Sequence, residues 1–545
     1  MATTADHPLP QRLAAVLPDN HVFTIHHISQ PPSKCNALYS APPNERPDRT
    51  YCESHFLTVS IDVPSTSATT RSASPPVDKV IILGLEVLVY STAFSTTIFV
   101  SKADSTGYLT LLKLPKGTPS PIREVCTTFI DYLIESRRRK DVQLVVSLFA
   151  RAQSQYLFPG SVDNAGKHVL DDRGLIKWWC RVLSPIVEAP PSTISPVGVK
   201  GYLIVPGLDP HETKAFVPRT AATSWSMTHP LREISHYTKE FDWVPARCLI
   251  PLFPDDPKSR FRDELDDESA RSGEMKNTGN WKSVKNLETF WEMMAFRQEC
   301  SSGRMTGFIW LVSDVTPPKK VEDIEPAVIS PSASFSEEAF PAVPSTPQKQ
   351  RIAVTQVTPS TTPRKLFASK NDKAIDDTKI DPKREKVKAK QKEKDKKKRR
   401  AGFVRTRSPR VKTSYSASFS KIPVSTAHYH WPAIGRGERV LSESDLKHIV
   451  ELVQHLDFST LDKAVASTKR LVNEAGHGRP WGWDVVGTRK SPAAYASGNA
   501  ESKPMNDLSG LVKRKRNPGG SETNGTGTAQ VNVLNAGLVR KKPKV

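Results

Sequence analysis

Cysteine is scarce in this chain. Its 6 cysteines in 545 residues, at positions 35, 52, 126, 180, 248 and 300, form no CxxC pair. That spacing excludes a zinc ribbon or a redox dithiol and reads as reduced packing thiols of a nuclear or cytosolic protein. Cys52 and His55 are spaced like half a zinc site, but no second half follows, so no metal is expected. The N-terminal residues include Asp6 and Asp19 and no long apolar run, so no secretory signal is expected either. Only Val80–Val100 is long enough to raise the question of a membrane span. Glu86 and the hydroxyl cluster Ser91, Thr92, Ser95, Thr96 and Thr97 interrupt it. It divides better into two buried strands joined by a turn, and no membrane partner is expected. A Gly-rich phosphate loop of the GxxxxGK[ST] type is also missing.

Positive charge is abundant, and its distribution matters more than its total. Of a net charge of +21, residues 1–320 contribute 36 Lys and Arg against 34 Asp and Glu, whereas residues 321–545 contribute 42 against 23. The first part therefore reads as a nearly neutral globule and the second as a polycation, a general attractor for acidic proteins or nucleic acid. With no zinc pattern and no basic-region heptads, sequence-specific DNA reading is not supported.

Leu57–Val63, Lys79–Tyr90, Thr97–Lys102, Tyr108–Leu114, Val142–Phe149, Tyr202–Val205, Cys248–Leu252 and Met305–Val312 read as strands. Helical spacing predicts Ile122–Arg139, Leu170–Val187 and Val284–Arg297. A mixed sheet packed by helices gives an α/β class. From residue 316 to 424 Pro, Ser, Thr and Lys dominate without apolar periodicity, which predicts a disordered insertion. Its run Lys383–Arg400 holds 12 basic residues against Glu385, Glu393 and Asp395. Two helices then follow, each behind a capping-box spacing, Ser442-Glu-Ser-Asp445 and Ser459-Thr-Leu-Asp462. Alone they bury too little to stand apart, so residues 425–490 are expected to complete a domain formed by residues 1–315. Residues 491–545 read as a disordered basic tail. Its clusters Lys513–Arg516 and Arg540–Lys544 are spaced like nuclear localisation signals.

The motif richest in chemistry is Phe253-Pro-Asp-Asp-Pro-Lys-Ser-Arg-Phe261, followed by the acidic run Asp263–Glu268. Two prolines deny Asp256 an ordinary helix interior. Read from spacing alone, this is a solvated turn before an acidic helix N-terminus, with Lys258 as an ion-pair partner. Phe253–Phe261, Phe149–Phe158 and Phe290–Cys300 together resemble the fungal-specific acetyltransferase family that modifies a core lysine of histone H3, a relative of the p300-type enzymes. The resemblance covers roughly residues 80–315 and 430–488.

What the resemblance implies is specific. The fold should be p300-like and the co-substrate acetyl-CoA. The substrate should be histone H3, with H3–H4 presented by a chaperone of the anti-silencing type and a nucleosome-assembly-protein chaperone as stable partner, in the nucleus. The polycation would suit acidic chaperones or non-specific DNA contact. Asp256 should be the acidic catalytic position, with Asp255 as alternative, and Lys258 should be acetylated by the enzyme itself. Ala103, Asp104 and Ser105, taken as a turn, should hold the pantetheine. Lys113 and Lys116 should meet the phosphates, with Lys214, Ala215, Phe216, Tyr202 and Trp225 as further contacts. A non-catalytic chromatin adaptor binding through Lys383–Arg400 is the competing reading, and stabilisation by acetyl-CoA separates the two.

Overall fold

The computed structural model describes residues 8–64, 77–189, 198–272, 279–297, 300, 303–313, 419 and 421–490. Lys383–Arg400, the tail clusters and nearly all of the 316–424 insertion lie outside the described residues.

The chain begins with helix α1 (Pro8–Val16), then strands β1 (Val22–Ser29), β2 (Ser33–Cys35), β3 (Thr50–Pro64), β4 (Val77–Ser91) and β5 (Ser95–Ser105). Helix α2 (Pro121–Arg137) carries the chain over to β6 (Gln143–Ala150), and α3 (Asp172–Glu188) leads to β7 (Lys200–Ile204). Short helices α4 (Pro210–Lys214), α5 (Leu231–Ile234) and α6 (Tyr237–Glu240) surround β8 (Trp225–Ser226). Helices α7 (Pro257–Ser272) and α8 (Leu287–Ala295) precede β9 (Gly307–Ser313). After the insertion come β10 (Arg439–Val440), α9 (Glu443–Val453), α10 (Leu461–Gly476) and β11 (Trp483–Val486).

Among the described residues, eleven strands form one sheet in the order β10-β1-β3-β4-β5-β6-β9-β7-β8, with β11 also on β1 and β2 on β3. Most pairs are antiparallel, while β5 and β6 run parallel because α2 returns the chain. Alternation sorts the side chains of β9 and β7 between two cores. Ile309, Leu311 and Leu203 join α1, α2 and α3 on one face, whereas Phe308, Trp310, Val312 and Tyr202 join α7, α8 and Trp281 on the other. A sheet covered on both faces explains why its inner strands read as nearly continuous apolar runs.

The segment after the insertion is part of this body. β11 pairs antiparallel with Val22–Ile25 of β1, and β10 parallel with Ile28–Ser29. Thr468 Oγ1 of α10 accepts the Ile81 N–H at 3.1 Å. Buried Arg137, at the end of α2, donates to both carboxylate oxygens of Glu53 and to the Gly435 carbonyl at 2.6 Å. Burial alone would push the Glu53 carboxyl up, but Arg137 and His55 outweigh it and hold it at about 2.

Three local expectations are corrected. Tyr108–Leu114 is not a strand: Tyr108–Leu112 is a 3-10 turn, bracketed by left-handed Gly107 and Lys113 and stopped by Pro115. Cys248–Leu252 joins no sheet. Ala246–Cys248 is a 3-10 turn after Pro245, and the following chain carries Pro251 and Pro254, which have no N–H for a ladder. Ser442 caps α9 by accepting the Asp445 N–H, but the N-cap position of α10 is Thr460 rather than Ser459 and makes no side-chain cap bond.

Candidate active site

The C-terminal ends of β5 and β6 open into a cavity of about 720 Å³, closed by the 3-10 turn, the 152–156 and 166–170 loops and the Trp178–Trp179 edge of α3. Two devices hold these loops. Asp104 lies on the last residues of β5, opposite Gly84, and not in a turn as its sequence context suggested. Its Oδ2 accepts the N–H groups of Tyr156 and Leu157 at 2.7 and 2.9 Å, and its Oδ1 takes the buried Lys167 ammonium at 2.9 Å. Gly107 has φ +91°, and a Cβ there would lie 2.5 Å from the Lys167 nitrogen, so only glycine lets the two loops meet.

The cavity lining suits a long, flexible, phosphorylated molecule. Ala103, Asp104, Ser105 and Lys113 line it, as do Arg151, Lys167 and His168. Arg151 Nε is buried with no hydrogen-bond partner among the described residues, a donor left over for an acceptor. Lys116 is exposed close to the lining residues Pro115 and Thr118. Lys214 and Ala215 are exposed and Phe216 buried, and none of the three lines the cavity.

The Asp255–Asp256 motif is a rigid corner. Phe253 stacks on Phe99 of β5, centroids 4.1 Å apart and rings 2° from parallel. Its N–H donates to Ser259 Oγ at 2.9 Å, and that hydroxyl donates to the Pro251 carbonyl. Asp255 takes a left-handed φ of 58°, which Asp tolerates better than most residues. Pro257 then opens α7, where its missing N–H costs nothing. Asp256 precedes it as the cap: Oδ1 accepts the Lys258 N–H at 2.9 Å and Oδ2 the Lys258 ammonium at 2.6 Å.

The two aspartates therefore face different surroundings. The Asp256 side chain is 0% exposed and Lys258 1%, and the lysine nitrogen also lies 4.2 Å from the Phe308 ring centroid and 5.5 Å from that of Trp310. Burial lowers the Lys258 pKa, with Asp256 opposing the shift. The Asp255 carboxylate is 59% exposed and stands 3.9 Å from Lys102. Tyr156, a lining residue, has its pKa raised by burial and next by Asp255, so this corner borders the cavity.

Tyr202 and Trp225 lie on the neighbouring strands β7 and β8, one register position apart, and belong to different faces. Trp225 pairs with Gly201 and packs in the core that Ala103 and Trp178 also touch, its Nε1 buried without a partner among the described residues. Tyr202 lies in the opposite core and donates to Glu233 at 2.5 Å. Sequence reasoning passed over Lys102, Glu86, Arg151, Tyr156 and Lys167. The cues were the resemblance segment Phe149–Phe158, which contains Arg151 and Tyr156, a lysine directly before Ala103, and a basic pair, Lys167-His168, directly after a glycine.

The family model for the histone acetyltransferase KAT11-type domain matches residues 9–143 and 139–474. A histone acetyltransferase rtt109 of Aspergillus flavus is 37% identical over 595 residues, covering 99% of each chain. One of Schizosaccharomyces pombe is 35% identical over 255 residues, covering 43% of this chain and 56% of its own. The crystal structure of Rtt109 from Aspergillus fumigatus matches with a TM-score of 0.61 and 36% identity, over 89% of this chain and all of that one.

Proposed function

The chain belongs to the Rtt109-type histone acetyltransferases, and from that premise we propose that it moves acetyl from acetyl-CoA to core-domain lysines of histone H3 in the nucleus. Presentation of H3–H4 by a histone chaperone is part of the proposal, and the basic segments would hold an acidic chaperone of the nucleosome-assembly type. The observation that carries the site assignment is the exposed Asp255 carboxylate, fixed on a proline-locked corner beside a cavity whose lining holds Arg151, its Nε buried without a partner among the described residues.

The chemistry sets the tasks. A free lysine has a pKa near 10.4, so only about one in a thousand is neutral at pH 7.4. The neutral amine must attack the thioester carbonyl carbon, and the C–S bond must break. Ala103–Ser105 would lie along the pantetheine, with Lys113, Lys116 and Arg151 near the phosphates. Trp225 would wall the acetyl end. Asp255 would draw the substrate ammonium to the mouth and accept its proton or pass it to water. Asp256, enclosed and bonded to Lys258 on both oxygens, would hold the corner rather than touch the substrate. Self-acetylation of Lys258 would remove a buried charge and leave an amide whose N–H can still donate to Asp256 beside the backbone N–H.

Mass spectrometry of histone H3 after incubation with enzyme, chaperone and acetyl-CoA tests the proposal. Acetyl groups confined to the histone tail, or none, would refute core-lysine transfer.

A further inference from the structure

A β-bulge sits where β4 and β5 pass the Asp255 corner. Glu86 pairs with Lys102 but Val87 pairs with Val100, so Ser101 is the extra residue. A bulge turns neighbouring side chains that would otherwise alternate toward one side of the strand, and this one does so. Ser101 Oγ and Lys102 Nζ both donate to Glu86 Oε2 at 2.8 Å. Two residues earlier, Phe99 carries the stacked Phe253 and with it the 253–256 turn. The bulge thus delivers the Lys102 ammonium to 3.9 Å from Asp255 Oδ2.

We propose that Lys102, clamped by Glu86, is a positioning residue of this acetyltransferase that aims the Asp255 carboxylate at the mouth of the cavity. The inference rests on the proposed role of Asp255. An exposed lysine at such a distance would contribute little, since it could swing away. Lys102 cannot, because its side chain is mostly buried and its ammonium is tied to Glu86. Burial opposes its charge, but Glu86 and Asp255 overcome that, and its pKa is raised. The positive charge is therefore permanent at neutral pH. The Arg260 guanidinium donates to the Asp255 backbone carbonyl at 3.1 Å, which fixes the main chain of the corner while Lys102 faces the carboxylate. The bulge residue Ser101 and Ala103 both line the cavity, as does Tyr156, so Lys102 stands between two lining residues.

The test is a double-mutant cycle on the full chain with recombinant H3–H4 and acetyl-CoA. Lys102→Met in the parent should lower kcat about tenfold, the usual scale of coupling between contacting polar groups, while the acetyl-CoA KM stays within about twofold. Lys102→Arg should recover most of that loss. In an Asp255→Asn background Lys102→Met should cost nothing further. Additive losses, an unchanged kcat, or a raised acetyl-CoA KM alone would overturn the proposal. If Lys102→Met does not fold, Glu86→Gln, which keeps the side-chain volume, is carried through the same cycle with the same expected and contrary outcomes. Full activity of Asp255→Asn itself would overturn the underlying role of Asp255. An impaired Asp255→Asn beside a silent Lys102→Met would overturn the positioning inference alone.

Discussion

Replacing Lys258 with methionine isolates the buried pair at the heart of the corner. Methionine keeps much of the apolar stem that packs on Phe308 and Trp310 but removes the ammonium 2.6 Å from Asp256. What remains is a fully buried carboxylate with one donor, the N–H of residue 258. Breaking a buried pair by deleting one partner costs about 3–5 kcal/mol, because the other charge stays behind uncompensated. The folded-to-unfolded ratio should therefore fall more than about a hundredfold. Removing both charges in Asp256→Asn/Lys258→Met should restore stability to within about 1 kcal/mol of the parent, since the attraction and the desolvation cost vanish together. The assay is urea unfolding in an Asp255→Asn background, which should not acetylate itself, with intact mass confirming an unmodified Lys258. A Lys258→Met protein within about 0.5 kcal/mol of its parent would refute the reasoning, because surface-like effects are that small.

His26 is buried with Nδ1 unpartnered among the described residues, and burial, followed by Lys79, lowers its pKa from 6.5 to about 4. The unfolded chain then takes up the proton first as pH falls, so stability should drop by about 3 kcal/mol between pH 6.5 and about 4 and the slope should end there. His26→Phe should remove that share of the slope in urea midpoints measured across the range, and an unchanged slope would contradict the assignment. Gly107→Ala forces a Cβ to 2.5 Å from the Lys167 nitrogen at φ +91°. The strain should weaken acetyl-CoA binding roughly tenfold by calorimetry, and an unaltered Kd would show that the loop contact does not shape the cavity. Trp225→Phe should lower kcat/KM for acetyl-CoA severalfold, and unchanged kinetics would leave Trp225 a core residue only.

How much of this was legible depended on what each residue's environment owes to its neighbours in sequence. The β4–β5 hairpin could be read through Val80–Val100 because strands covered on both faces are written as apolar runs punctuated by polar turns. Helix α2 was legible from its period of apolar positions between Pro121 and Arg137. The 3-10 turn at Tyr108–Leu112 was not, since its alternating pattern hides two left-handed residues that decide the backbone. The same applies to Cys248–Leu252, where prolines outvote β-favouring side chains. At the site, the Pro-Asp-Asp-Pro motif announced a rigid acidic corner, but not which aspartate would be exposed. That difference comes from the fold, which lays Phe253 on Phe99 and buries Lys258 under β9. Lys102 was invisible for a similar reason: a one-residue register shift, set by pairing with β4, turns it toward Asp255.

The most direct measurement of the central claim is the rate of acetyl transfer to H3–H4 by Asp255→Asn, with the acetyl-CoA Kd determined on the same preparation. Asparagine keeps the shape of the corner but can neither draw an ammonium nor accept a proton, so turnover should fall about a hundredfold, the lower bound for a lost proton acceptor. The Kd should stay within about twofold, since the Asp255 carboxylate is 59% exposed and Asp255 is not among the residues that line the cavity. Turnover near that of the parent at saturating histone would contradict the account.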